Sequence, residues 1–180
     1  FTLDRTDETE DEIWALEHTP VFTLGLNGKT QHVLNPGAIP VVHCDRGGQV
    51  THHGPGQVII YPLLDIKRLQ LGIRQLVTLL ETTMIVTLAE LGIAAVAKPE
   101  APGVYVDGKK IGSIGIRIKR DCSYHGLSLN NDMDLSAFKR INPCGMQNLE
   151  MTQLRDFGIH LRSSAVAARL IHHLTTALYP

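Results

Sequence analysis

A disulfide framework, a membrane span and a broad face of one charge are all missing from this sequence. Its three cysteines, Cys44, Cys122 and Cys144, are odd in number and widely spaced. That pattern speaks against a disulfide scaffold and, with no secretory signal at the N-terminus, fits a reducing cytoplasm. No apolar run approaches the roughly 20 residues needed to cross a bilayer, so no membrane association is expected. Seventeen Lys and Arg against eighteen Asp and Glu leave a formal charge of -1. A nucleic-acid-binding surface needs a basic excess, so none is expected. What remains, 43% hydrophobic and 19% charged over 180 residues, is the composition of one globular domain spanning 1–180. The chain opens at Phe1 without an initiator Met, so a preceding piece is expected.

Periodicity divides the chain. EIWALEHTPVFTLG (12–25) reads as one or two strands, and PVVHC (40–44) and QVIIYPLL (57–64) as short buried strands with a Gly-rich connection between them. From Ile73, the positions Leu76, Leu80, Met84, Leu88 and Leu91 recur at spacings of three and four, a helical stripe that Gly92 stops. GVYVDGKKIGSIGIRI (103–118) carries the Asp-Gly signal of a tight hairpin, and HGLSLN (125–130) continues the β pattern. DLSAFKR (134–140) is expected to be a short helix capped by Asp134, and SSAVAARLIHHLTTAL (163–178) a longer one capped by Ser163 or Ser164. The fold class that follows is α/β or α+β, a mixed sheet flanked by helices.

Three stretches could carry chemistry. RGGQVTHHGPGQ (46–57) has four glycines in twelve residues, so its backbone amides can approach a ligand closely. It matches neither the Walker pattern nor the dinucleotide fingerprint, and Arg46, His52, His53 and Gln57 set it apart from an ordinary turn-rich loop. His43, Cys44, His52, His53, Cys122 and His125 are zinc-ligand types, but none has the paired spacing of a structural site, and no metal is assigned. Lys109 and Lys110 follow the Asp-Gly turn, where alternation sends one side chain inward and the other to water. Parity places Lys110 opposite Ile111, on the face of Gly112, Ile114 and Ile116. INPCGM (141–146) sets Cys144 between a proline and a glycine after a capped helix. An inward ammonium nearby would stabilise the thiolate, the reactive form of cysteine. Residue types alone leave Cys144 open between a packed core group and a nucleophile.

RGGQVTHHGPGQVIIYPLL, APGVYVDGKKIGSIGIRIKR and CSYHGLSLNNDMDLSAFKRINPCGM, in that order, resemble one family, the lipoyl (octanoyl) transferases. The resemblance implies a fold similar to the biotin and lipoate protein ligase catalytic domain, and no cofactor. It implies that an octanoyl group moves from acyl carrier protein to a lysine of apo lipoyl domains, those of 2-oxoacid dehydrogenases and of the glycine cleavage H protein. The family's acyl-thioester cysteine falls on Cys144, and the lysine that tunes it on Lys110. The substrate-contacting segments fall on Arg46, Gly47, Gly48, Gln49, Val50, Thr51, His52 and His53, on Ser113, Ile114 and Gly115, and on Gly126, Leu127 and Ser128. The sequence departs from the family at His52, where an aromatic residue, most often Tyr, is usual, and its start is expected to fall after the family's N-terminal helix. Val58, Ile60 and Ile114 are the expected walls for an acyl chain. Rival readings are an ATP-dependent lipoate or biotin ligase, a hydrolase pairing Cys144 with His53 or His125, and a non-enzymatic binding module.

Overall fold

The computed structural model describes residues 1–6 and 8–179. The stretch 12–25, expected to hold one or two strands, holds two, β1 (Glu12–Leu16) and β2 (Val21–Leu24), which separate at Pro20 and join different sheets. After β2 come β3 (Val41–His43), β4 (Val50–His53) and β5 (Gln57–Leu63). Helix α1 (Ile73–Glu90) follows, then β6 (Val96–Ala97), β7 (Gly103–Val106), β8 (Lys109–Lys119), β9 (Cys122–Asn130) and helix α2 (Ser163–Leu178). The larger sheet has the order β1-β5-β9-β8-β7-β6 and is antiparallel throughout. The smaller, β3-β2-β4, is mixed, with β2 parallel to β3 and antiparallel to β4. The expected α+β class holds, with its strands divided between two sheets.

The helical stripe behaves as its spacing requires. Leu76, Leu80, Met84 and Leu88 are fully buried on α1 and pack with Leu170 and Leu174 of α2 against the larger sheet. Gly92 ends the helix in the left-handed conformation, φ +76°, where only open space surrounds it. A second core lies under the smaller sheet, where Phe22, Leu24 and Val50 meet Phe138 and Ile141.

Several local expectations change. Val41 and Val42 are exposed, because β3 is an edge strand with one neighbour and its burial depends on pairing. A third of the Gly-rich connection is itself a strand, β4. Asp134 does cap its segment, its Oδ1 accepting the Ser136 N–H at 2.9 Å, but residues 135–140 form a 3-10 helix. Neither Ser163 nor Ser164 caps α2: the helix starts at Ser163, so both lie in its first turn and Arg162 takes the N-cap position without a side-chain bond.

The Asp107-Gly108 turn forms as its residues dictate, both in the left-handed region (φ 48° and 82°). Beyond it the register slips by one. Tyr105 pairs with Lys110 but Val104 pairs with Gly112, so Ile111 is the extra residue of a β-bulge. Parity therefore fails at Lys110. A Cβ on Gly112 would meet Met84 Sδ of α1, 2.5 Å away, whereas the Lys110 side chain runs away from the helices to Cys144. The bulge puts Lys110 on the side of Ser113 and Gly115 rather than of Gly112, Ile114 and Ile116.

Candidate active site

Between the two sheets lies a narrow, solvent-open cleft with a cavity volume of about 60 Å³. Its wall from the smaller sheet is the Gly-rich stretch, with Arg46, Gly48, Gln49, Val50, Thr51 and His53. Its wall from the larger sheet comes from β5, β8 and β9. Small residues face each other there, Gly115 opposite Gly126 and Ser113 opposite Ser128, so the sheet surface has little side-chain bulk at its centre. Ile59, Tyr61 and His125 supply larger side chains around them, Ile114 and Leu127 border the cleft while their side chains join the helix-side core, and Cys144 completes the wall.

Twelve of the fourteen substrate-segment residues named from the sequence line this cleft. Gly47 and His52 do not. Gly47 fastens the loop to the larger sheet, its N–H donating to the Ile116 carbonyl at 2.9 Å. His52 is buried in the second core between the rings of Phe22 and Phe138, as strand alternation after Thr51 requires. An aromatic residue, which the family favours there, would suit that environment. Val58, Ile60 and Ile114 likewise turn their side chains into the helix-side core, and Ile59 and Tyr61 take the places expected of them.

Cys144 occupies a 3-10 turn, Pro143–Gly145, with φ 57° and ψ 16°, followed by Gly145 at φ 74°. A left-handed non-glycine residue costs about 1 kcal/mol or more. The turn is held by Gly145 N–H to the Asn142 carbonyl at 2.9 Å, Met146 N–H to the Pro143 carbonyl at 3.0 Å, and Asn142 N–H to the His32 carbonyl at 2.8 Å.

Lys110 is 1% exposed, and its Nζ donates to two acceptors: the Pro102 carbonyl at 2.8 Å and Cys144 Sγ at 3.2 Å. It also lies over the Tyr105 ring, 5.4 Å from the centroid. Its main chain is fixed from the 150–152 segment, by Lys110 N–H to the Glu150 carbonyl and Thr152 N–H to the Lys110 carbonyl, both 2.9 Å. Lys109 turns to solvent and pairs with Glu150 at 2.9 Å. The buried ammonium thus meets two acceptors, a carbonyl and a sulfur, and no carboxylate. Arg46 adds a second buried cation. Its guanidinium is held by Thr23 Oγ1 and the carbonyls of Thr23 and Gly47, and burial pushes its pKa down, offset in part by Cys44 and Cys144.

Neither histidine considered as a partner for Cys144 contacts it through a hydrogen bond. Gln57 Nε2 donates to Asn130 Oδ1 at 2.9 Å, leaving Gln57 Oε1 to accept from His53 Nδ1 at 2.8 Å. His53 therefore keeps its lone pair on Nε2. His125 pairs with Asp45 at 3.0 Å, and Asp45 also accepts from the Tyr124 hydroxyl. The His125 ring meets the Tyr61 ring edge-on, and the Tyr61 hydroxyl meets His18 Nε2 at 2.8 Å. Tyr61, His18 and Asp45 were not legible as site residues, since they are brought together by three separate strand pairings. Among the described residues no group of three or more His, Cys, Asp or Glu could hold a metal ion.

Burial pushes the His53 pKa down to about 3, with Arg46, His18 and His52 adding to the shift and the Gln57 bond opposing it. The folded value lies below the unfolded one, so acidification protonates the unfolded chain first. Stability is complete above about pH 6.5 and falls as the pH drops toward 3. Burial lowers His18 and His52 as well, in the same direction. One edge of the His53 ring opens into the cleft, which moderates the effect. A loss of about 2 kcal/mol is expected between pH 7 and 4.5. Urea unfolding at the two pH values checks this, and His53→Gln should narrow the difference.

The cleft thus brings a half-buried cysteine within hydrogen-bond reach of a buried ammonium, over a floor of small residues. The profile of the lipoyl protein ligase A/B catalytic domain matches residues 1–175. Lipoate-protein ligase A bound with ATP has the same fold, with a TM-score of 0.81 at 12% identity over 99% of this chain and 76% of that one. Biotin protein ligase from Aquifex aeolicus in complex with biotin and ATP gives 0.60 at 18% identity over 87% and 69%. The chain belongs to the lipoyl protein ligase A/B catalytic domain family. Within it the sequence groups with octanoyltransferases: that of Cellvibrio japonicus is 62% identical over 156 residues, 87% of this chain and 73% of the relative. The chain is thus an octanoyltransferase-type enzyme of protein lipoylation.

Proposed function

We propose that residues 1–180 form one catalytic domain that takes an octanoyl group from acyl carrier protein onto Cys144 and passes it to the lysine amine of an apo lipoyl domain. The acceptors are those of 2-oxoacid dehydrogenases and the glycine cleavage H protein, in the cytoplasm, with no further cofactor. The observation that carries this reading is the 3.2 Å contact between Lys110 Nζ and Cys144 Sγ.

In the first half-reaction the Cys144 thiolate attacks the donor thioester. A bond from its sulfur to the acyl carbon forms, the bond to the carrier's sulfur breaks, and the departing thiolate takes a proton from the Lys110 ammonium. Main-chain N–H groups of the Gly-rich stretch stabilise the oxyanion. In the second, the acceptor lysine attacks as a neutral amine and gives a proton to the now neutral Lys110. The bond from Cys144 to the acyl carbon breaks, restoring thiolate and ammonium. The acyl chain lies against Ile59 and Tyr61, each buried CH₂ contributing about 0.8 kcal/mol.

The structural neighbours with ATP keep an adenylating ligase as the reading to be tested against. Transfer from octanoyl carrier protein without ATP separates the two, and a strict need for ATP and free acid would overturn transfer. Loss of Lys110 should slow alkylation of Cys144 by iodoacetamide near neutral pH by about tenfold. An unchanged rate in Lys110→Ala would remove the role given to this lysine.

A further inference from the structure

We propose that Glu81 is a positioning residue for the Lys110–Cys144 pair, acting through the Pro102–Gly103 peptide. The inference rests on the reading of Cys144 as the nucleophile. Glu81 lies in the middle of α1, between Leu80 and Met84, both fully buried, so its backbone is fixed by the main core. Its Oε1 accepts the Gly103 N–H at 3.0 Å. The carbonyl of the same peptide unit, that of Pro102, accepts from Lys110 Nζ at 2.8 Å, and Lys110 Nζ in turn donates to Cys144 Sγ at 3.2 Å. One rigid peptide plane thus links a carboxylate on the helix to the ammonium on the strand.

The link matters because this peptide sits at the very start of β7, where Gly103 is the first residue paired with β8, opposite Ser113. Gly103 has φ +130°, and a Cβ there would lie 2.5 Å from the Gly112 carbonyl oxygen and 2.6 Å from Lys110 Cε. Glycine is required for the close approach, and glycine leaves the peptide free to rotate. The preceding residue is proline, which has no N–H to anchor. The Glu81 carboxylate both sets the plane and, by polarising the amide, strengthens the carbonyl as an acceptor for the ammonium. Lys110 is then held by a fixed acceptor on one side, and the sulfur receives its remaining direction.

The test reads the Cys144 peptide by mass spectrometry after limited iodoacetamide treatment, in the intact protein at pH 7 and pH 10. Glu81→Ala and Glu81→Met remove the acceptor, and Glu81→Gln keeps one. Both acceptor-less variants should lower the pH 7 alkylation rate by about threefold to tenfold. The rate at pH 10 should change much less, because well above the ordinary thiol range ionisation depends far less on a neighbouring ammonium. Glu81→Gln should recover most of the pH 7 rate. In a Lys110→Ala background, Glu81→Met should have no further effect, since its influence passes through Lys110. Additive slowing, or equal slowing at both pH values, would overturn the proposal in favour of a general loosening. Its failure is separable from that of the proposed function. Wild-type protein that forms no octanoyl thioester sinks the transfer mechanism, whereas a thioester on Cys144 with wild-type alkylation in Glu81→Met sinks the role of Glu81 alone.

Discussion

Cys144→Ala is expected to transfer no octanoyl group above background, a loss of at least about a thousandfold, and to form no acyl-enzyme with octanoyl carrier protein. The wild-type protein should gain one octanoyl group, located on the peptide containing Cys144. The prediction is clean because the substitution leaves the turn unchanged. Alanine carries the same Cβ as cysteine, so the left-handed backbone at φ 57° costs it much the same, and the turn's hydrogen bonds are made by main-chain atoms of Asn142, Pro143, Gly145 and Met146. The sulfur's own hydrogen bond, from Lys110, is the one that disappears. Thermal unfolding should therefore move little, and a lost activity can be assigned to chemistry. Lys110 keeps the Pro102 carbonyl as an acceptor in that variant, so its ammonium is not left bare. Retained transfer in Cys144→Ala would refute the acyl-enzyme, and ATP-dependent transfer of free octanoate would replace it with ligation.

How much of this site could be read beforehand depended on whether a feature was local. The Asp107-Gly108 turn and the α1 stripe are decided by residues within a few positions, and both formed as expected. That one of Lys109 and Lys110 points inward followed from the turn, but the side of the sheet that Lys110 reaches did not. The bulge at Ile111 is set by pairing between β7 and β8, and it leaves no mark in a run of alternating isoleucines. The same limit explains the acyl wall. β5 is buried on both faces, so nothing in VIIY distinguishes Val58 and Ile60, which face the helices, from Ile59 and Tyr61, which face the cleft. The division of strands between two sheets had no signal either, and with it went the exposure of β3 and the meeting of His18, Tyr61, His125 and Asp45. The resemblance supplied the pairing of Cys144 with Lys110 across 34 residues, which no periodicity could provide.

Gly126→Ala should be among the most damaging single-methyl changes to stability, by about 3 kcal/mol or more. Gly126 faces Gly115 across the β8–β9 ladder, and the resemblance gave both the same role in contacting substrate. The two differ in what a Cβ would strike. At Gly126 it would lie 2.0 Å from the Ile60 carbonyl oxygen and 2.6 Å from Pro62 Cδ. Both belong to β5, a main-chain atom and a closed ring, and neither can rotate away. Relief requires β9 to part from β5, whose ladder from Gln57↔Asn130 to Ile60↔Leu127 joins the centre of the larger sheet. At Gly115 the Cβ would meet Arg46 Cδ at 3.1 Å and the Gly47 carbonyl at 3.2 Å, a side chain and a loop that can give by a few tenths of an ångström. Gly115→Ala should therefore cost about 1 kcal/mol, while disturbing the buried guanidinium and the cleft wall. Denaturant unfolding of the two variants, beside transfer kinetics of whichever folds, separates the roles. Gly126 chiefly lets two strands of the sheet close together, and Gly115 chiefly leaves room for Arg46 and the acyl group. A stability loss below about 1 kcal/mol in Gly126→Ala would show that β5 and β9 yield more easily than a central antiparallel pair should.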